Sequence, residues 1–278
     1  MVEVSSELTR LLFLAAAGLL VLAGATVDLY LLFLLQRRTS PLSLPAQPEL
    51  RQRPFTFYHA LQVLVVTLLF AVPVLFQAPN QPTPSETTLV CGPLLYALVC
   101  LLIVSFCLAT TGATFRGAFT SKTCTAGQAL GKGMLYGLAA IPPMILLSHV
   151  MATCTEALGY EPRLQEVFEW LSDGKVSTGT RVFMMTAAVL IAPVAEEALF
   201  RGILFPALLK HRTFASAALI SGFYFALVHF HAPSLMPLLA LGFAFSSAYA
   251  ATGSLLTPIV MHALFNTASL LLYLADKA

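Results

Sequence analysis

Repeated uninterrupted apolar runs constrain this chain more than any other feature. A helix that crosses a bilayer needs roughly 20 mostly apolar residues, and such runs cover 11–35, 58–76, 89–110, 130–153, 180–209, 214–230, 233–250 and 255–274. The pattern predicts an all-α, polytopic membrane helix bundle with about eight transmembrane helices, and residues 1–278 as a single membrane domain. Composition excludes the alternatives. Charged residues are 10% of the chain and hydrophobic ones 58%, against roughly 25% and about 45–50% in soluble domains. Too few charges remain to cover a water-facing surface, and disorder requires the opposite composition. A net charge of +2 is too small to point to nucleic acid.

The first run reads as a retained span, not a signal peptide. Glu3 and Glu7 spoil a basic leader, and the apolar stretch continues past Ala23-Gly24-Ala25. Loop cations set the orientation. Arg37, Arg38, Arg51, Arg53, Arg116, Lys122, Lys132, Lys210 and Arg212 fall in one set of loops, and Arg10, Arg163, Lys175, Arg181 and Lys277 in the other. The imbalance places both termini outside the cytoplasm. Residues 36–54 read as a flexible basic linker. In 161–174, Leu164, Val167, Phe168 and Leu171 follow helical spacing, which suits a helix on the outer membrane surface or one packed as a loop helix. The five cysteines, Cys91, Cys100, Cys107, Cys124 and Cys154, are odd in number, lack a CxxC pair and read as small packing residues. His149 reads likewise.

Ionisable groups within a span cost about 2.5–3.5 kcal/mol each on insertion scales. The fifth run nevertheless contains Glu196, Glu197 and Arg201. Glu197 and Arg201, four apart, share a helical face and can pair, whereas Glu196 points about 100° away. His229 ends the sixth run, and His262 and Asn266 lie four apart in the eighth. At about 1.5 Å per residue, Glu196, His229, His262 and Asn266 lie roughly 14–24 Å from the cytoplasmic loops. All four occupy one slab of the bilayer, as a buried polar site would require.

A carboxylate, two imidazoles and an amide can activate water and stabilise an oxyanion. Glu196, His229 and His262 could instead ligate a metal such as zinc in an open three-ligand site. Both readings point to hydrolysis. No HExxH or GxSxG motif is present, and Asp28 is the lone Asp within a span. A transporter would also carry mid-depth charge, but inverted repeats and broken helices are not visible in the sequence.

Glu196-Glu197-x-x-Phe200-Arg201-Gly202, Phe225-x-x-x-His229 and His262-x-x-x-Asn266 resemble the three-motif signature of the CPBP family. These intramembrane endopeptidases include type II CAAX prenyl endopeptidases and bacteriocin-processing or Abi-like proteins. The resemblance covers 180–275, which it marks as the catalytic core. It implies that Glu196 acts as general base, His229 orients the water, His262 and Asn266 line the oxyanion hole, and Glu197 and Arg201 form a supporting pair. It implies a glutamate-type peptidase with no cofactor expected, zinc being the alternative on Glu196, His229 and His262. Implied substrates are membrane proteins or lipidated, prenylated or leader peptides, acted on within the lipid bilayer, with a prokaryotic inner membrane as the expected location. A catalytically inactive scaffold of the same fold and a polytopic transporter are the alternatives.

Overall fold

The computed structural model describes residues 2–36, 44–75, 84–159 and 166–277, and among them every regular element is a helix. In chain order these are α1 (Val2–Gln36), α2 (Gln47–Arg51), α3 (Phe57–Leu75), α4 (Glu86–Thr111), α5 (Phe115–Phe119), α6 (Ala126–Ala157), α7 (Glu166–Ser172) and α8 (Thr178–Thr186). They continue with α9 (Ala192–Glu197), α10 (Phe205–Leu209), α11 (Phe214–Leu227), α12 (Leu235–Thr252) and α13 (Leu256–Lys277). Two π-helical turns, Ala187–Ile191 and Ala198–Leu204, join α8, α9 and α10 into one long rod. Among the described residues, six helical stretches are long and apolar enough to cross a membrane: Glu7–Leu32, Glu86–Thr111, Ala126–Ala157, Thr178–Leu209, Ala232–Thr252 and Leu256–Lys277. The other two expected spans are the shorter apolar helices Phe57–Phe70 and Phe214–Leu227. α11 ends early because the chain turns at Val228–Phe230, where Phe230 adopts φ +45°.

Side-chain oxygens start several of the helices. Ser85, Thr125, Ser177 and Thr213 accept from backbone N–H groups three residues on, and Thr125 with Gln128 forms a full capping box. Gly112 and Gly253 close α4 and α12 in the left-handed conformation that glycine tolerates. α11 packs on α12, α6 on α13, and α1 against both α6 and α13. Small residues let the backbones approach: a Cβ on Gly133 of α6 would stand 2.9 Å from the carbonyl oxygen of Thr257 in α13. Leucines on the outer faces of α1, α4 and α6, such as Leu19, Leu101 and Leu146, are exposed, whereas Leu199, Phe200, Ile203 and Phe205 of the rod are fully enclosed. The later part of the rod is enclosed, while Val182, Leu190 and Val194 nearer its start are exposed.

Three local expectations are corrected. The end of the basic 36–54 stretch is not a flexible linker: Leu50 and Phe55 are fully buried, and Arg53 is 3% exposed. Arg53 donates to the carbonyls of Gly117, Thr120 (2.8 Å) and Gly253 (3.0 Å), while Arg51 donates to those of Leu209 and Arg212. The arginines satisfy carbonyls at helix ends, so the loop's charge serves packing as well as orientation. Residues 37–43 lie outside the described segments. His149 does not pack, since its side chain is exposed on α6. Of the cysteines, Cys100 and Cys107 are buried as expected, whereas Cys91 and Cys154 are exposed.

Candidate active site

Glu196 and Glu197 sit on the short α-helical turn between the two π turns. Proline explains the first π turn. Ala192 N–H donates to the carbonyl of Ala187, five residues back, and Pro193 has no N–H to continue that run toward Ala188. The amide of Asn266 supplies the donor instead, with Nδ2 2.8 Å from Ala188 O. A second proline, Pro206, follows the second π turn, and Ser221 Oγ donates to Phe200 O within that turn at 3.4 Å. The rod is therefore irregularly wound around its acidic pair, which the apolar pattern did not indicate although its prolines were visible.

The two carboxylates have different surroundings. Glu197 and Arg201 are 0% exposed. Arg201 Nη1 donates to Glu197 Oε1 at 2.9 Å, the pair expected from their spacing, and Nη2 donates to Gly242 O at 3.1 Å. The guanidinium lies 4.6 Å and 5.0 Å from the ring centroids of Phe225 and Phe245, so aromatic faces replace part of its lost hydration. Glu197 Oε1 also accepts from His262 Nδ1 at 3.0 Å. That bond leaves His262 Nε2 free, 3.9 Å from Glu196 Oε2. Glu196 Oε2 and Glu197 Oε2 are both buried with no hydrogen-bond partner among the described residues.

His229 follows the end of α11, and its Nδ1 donates to Phe225 O at 2.7 Å, which also directs Nε2 as the available lone pair. Phe225 stands edge-on to His229 at 4.9 Å and to His262 at 5.7 Å, and Phe245 stacks on His262 at 5.1 Å. Glu196, His229, His262 and Asn266 all line one cavity of about 190 Å³. Glu196 and His229 also line a second cavity of about 180 Å³, on the side of Thr67, Phe70 and Tyr96. His231 bonds Ser234 Oγ at 2.7 Å and is partly buried.

The structure adds participants that the sequence did not single out. Ser148, Ser234 and Ser269 reach the main cavity, Phe245 braces both Arg201 and His262, and Gly242 supplies a carbonyl to the arginine. Gly242 must lack a side chain: a Cβ there would stand 2.7 Å from Gly222 Cα and 3.0 Å from Arg201 Nη2. None of these lies at a fixed spacing from the acidic motif, so no sequence signal marked them. The 161–174 stripe is packed inward: Leu171 is buried and Val167 and Phe168 border the cavity, while Leu164 lies outside the described residues.

Glu196, His229 and His262 are donors of the kind zinc accepts. Among the described residues, however, no three His, Cys, Asp or Glu side chains are grouped closely enough to hold an ion. The two imidazole Nδ1 positions are already spent on protein acceptors.

A helix bundle that is apolar outside and holds charged side chains around an internal cavity defines a multi-pass integral membrane protein with a polar site among its helices. Residues 178–268 match the family described as Type II CAAX prenyl endopeptidase Rce1-like, so this part of the chain is similar to that family's domain. A protein of Bacillus subtilis (strain 168) described as "Putative membrane peptidase YdiL" is 27% identical over 221 residues, which cover 74% of this chain and 82% of that one. No solved structure matches the chain. Family and relative alike point to a membrane peptidase.

Proposed function

We propose that the protein is an intramembrane endopeptidase in which Glu196 activates water, with 180–275 as its catalytic core. The observation that carries this reading is the division of labour between adjacent acids: Glu197 is fully buried with its Oε1 engaged by both Arg201 and His262, whereas Glu196 lines the cavity.

In the proposed step, the water oxygen attacks the scissile carbonyl carbon while Glu196 takes a water proton. His229, through Nε2, orients the water. A protonated Nε2 of His262 and the second N–H of Asn266 donate to the developing oxyanion. The C–N bond then breaks as Glu196 returns the proton to the leaving amine. Glu197 and Arg201 hold His262 and the rod in place. No step requires a metal. Substrates in this reading are membrane-associated, lipidated or leader peptides, the location is a prokaryotic inner membrane, and the loop charges favour both termini outside the cytoplasm.

The test is cleavage of a membrane-reconstituted peptide library by the wild type and by Glu196→Ala and His229→Ala. General-base loss is expected to lower the rate by about 10²–10⁴-fold. Wild-type rates in both variants would refute the mechanism. Stoichiometric zinc in protein purified without a metal resin, together with chelator inhibition, would replace it with a metal-assisted one.

A further inference from the structure

The main cavity is lined by two kinds of surface. Its polar residues come from the rod, the end of α11 and α13, with Ser148 of α6 and Ser234 before α12. Its apolar residues Val167, Phe168, Leu171, Met185 and Leu270 belong to one packed cluster, separate from the central core. Three of those five lie on α7, which precedes the 178–268 segment that matches the family. The groups proposed for chemistry thus lie within the shared segment, and much of the apolar lining lies outside it.

α7 is anchored rather than loosely draped. Tyr273 Oη donates to Phe168 O at 2.8 Å, and the two rings pack 4.8 Å apart. Arg181 Nη2 donates to Asp173 O at 2.8 Å, just beyond the helix. Glu86 of α4 then receives Ser177 N–H at 2.8 Å, Ser177 Oγ–H at 2.7 Å and Thr180 Oγ1–H at 2.6 Å, fixing the start of α8. A surface held in this way can discriminate, because binding does not first have to order it.

Size sets what fits. A cavity of about 190 Å³ is comparable to engineered apolar cavities of about 150 Å³ that admit benzene. It falls below the roughly 300–1,000 Å³ of sites that enclose drug-sized ligands. One leucine-sized or aromatic side chain fits beside the reacting peptide bond, and a long lipid chain does not.

We infer that α7, with Met185, forms a specificity pocket for a single bulky apolar side chain flanking the scissile bond. The inference rests on the peptidase reading and assigns substrate choice mainly to α7, outside the shared segment, with Met185 inside it. The test uses the full-length protein in lipid vesicles with peptides that differ only in carrying Leu, Phe or Ala at each position near the cleaved bond. The wild type should favour Leu or Phe over Ala at one flanking position by about tenfold or more. Val167→Trp and, independently, Met185→Trp should fill the pocket and reverse that preference while Ala peptides are still cleaved. Cleavage with unchanged preference in both variants overturns the inference and leaves the peptidase reading intact. If the wild type cleaves nothing, the peptidase reading fails. A photo-leucine peptide added to Glu196→Gln protein then decides the pocket alone: crosslinks within 166–172 that Val167→Trp removes support it, and crosslinks confined elsewhere overturn it.

Discussion

Adjacent identical residues can have opposite roles when a helix rotates one into the core and the other toward a cavity. Glu197 is fully enclosed and compensates Arg201. Removing one partner of a buried pair strands the other charge, at about 3–5 kcal/mol. Glu197→Ala should therefore destabilise the fold by that amount, read as denaturant unfolding in detergent. Glu196→Ala should stay within about 0.5 kcal/mol of the wild type while losing peptide cleavage. Equal destabilisation by the two substitutions would contradict the division of labour. The spacing of Glu197 and Arg201 made their pairing legible in the sequence. Capture of the same carboxylate by His262 was not, because that contact bridges 65 positions of chain.

The acidic rod shows what a pattern of apolar residues leaves undetermined. Its length was readable, but its π turns arise where Pro193 interrupts the hydrogen-bond ladder and where Asn266, from another helix, takes over the exposed carbonyl. Asn266 therefore has a structural bond besides the oxyanion role proposed for it. Asn266→Leu should cost about 1–3 kcal/mol by leaving Ala188 O unpaired. Unaltered unfolding in that variant would mean that the carbonyl finds another donor. Close packing of α11 on α12 yields a second expectation. Gly242→Ala should destabilise by roughly 1–3 kcal/mol through overpacking against Gly222 and Arg201, whereas Gly127→Ala, with nothing within 4 Å, should be neutral or slightly stabilising. Thermal unfolding of the two variants in one detergent checks both.

Across the whole molecule, exposed leucines surround a core that holds the charged groups, as expected where the surrounding solvent is lipid. Loop charge predicts that both ends lie on the non-cytoplasmic side. A C-terminal alkaline phosphatase fusion expressed in a bacterial host should be active, and a fluorescent protein fusion at the same point dark. The reverse result would invert the bundle without disturbing the site, since the shared depth of its four groups does not depend on orientation. Sequence alone determined the helical class, the membrane setting and the candidate groups, because lipid imposes apolar runs of fixed length and makes every exception conspicuous. Tertiary structure decided which acid faces the cavity, how the imidazoles are oriented, that Arg53 is a buried brace and that α7 borders the cavity. Those outcomes depend on contacts between distant helices, which local spacing does not encode.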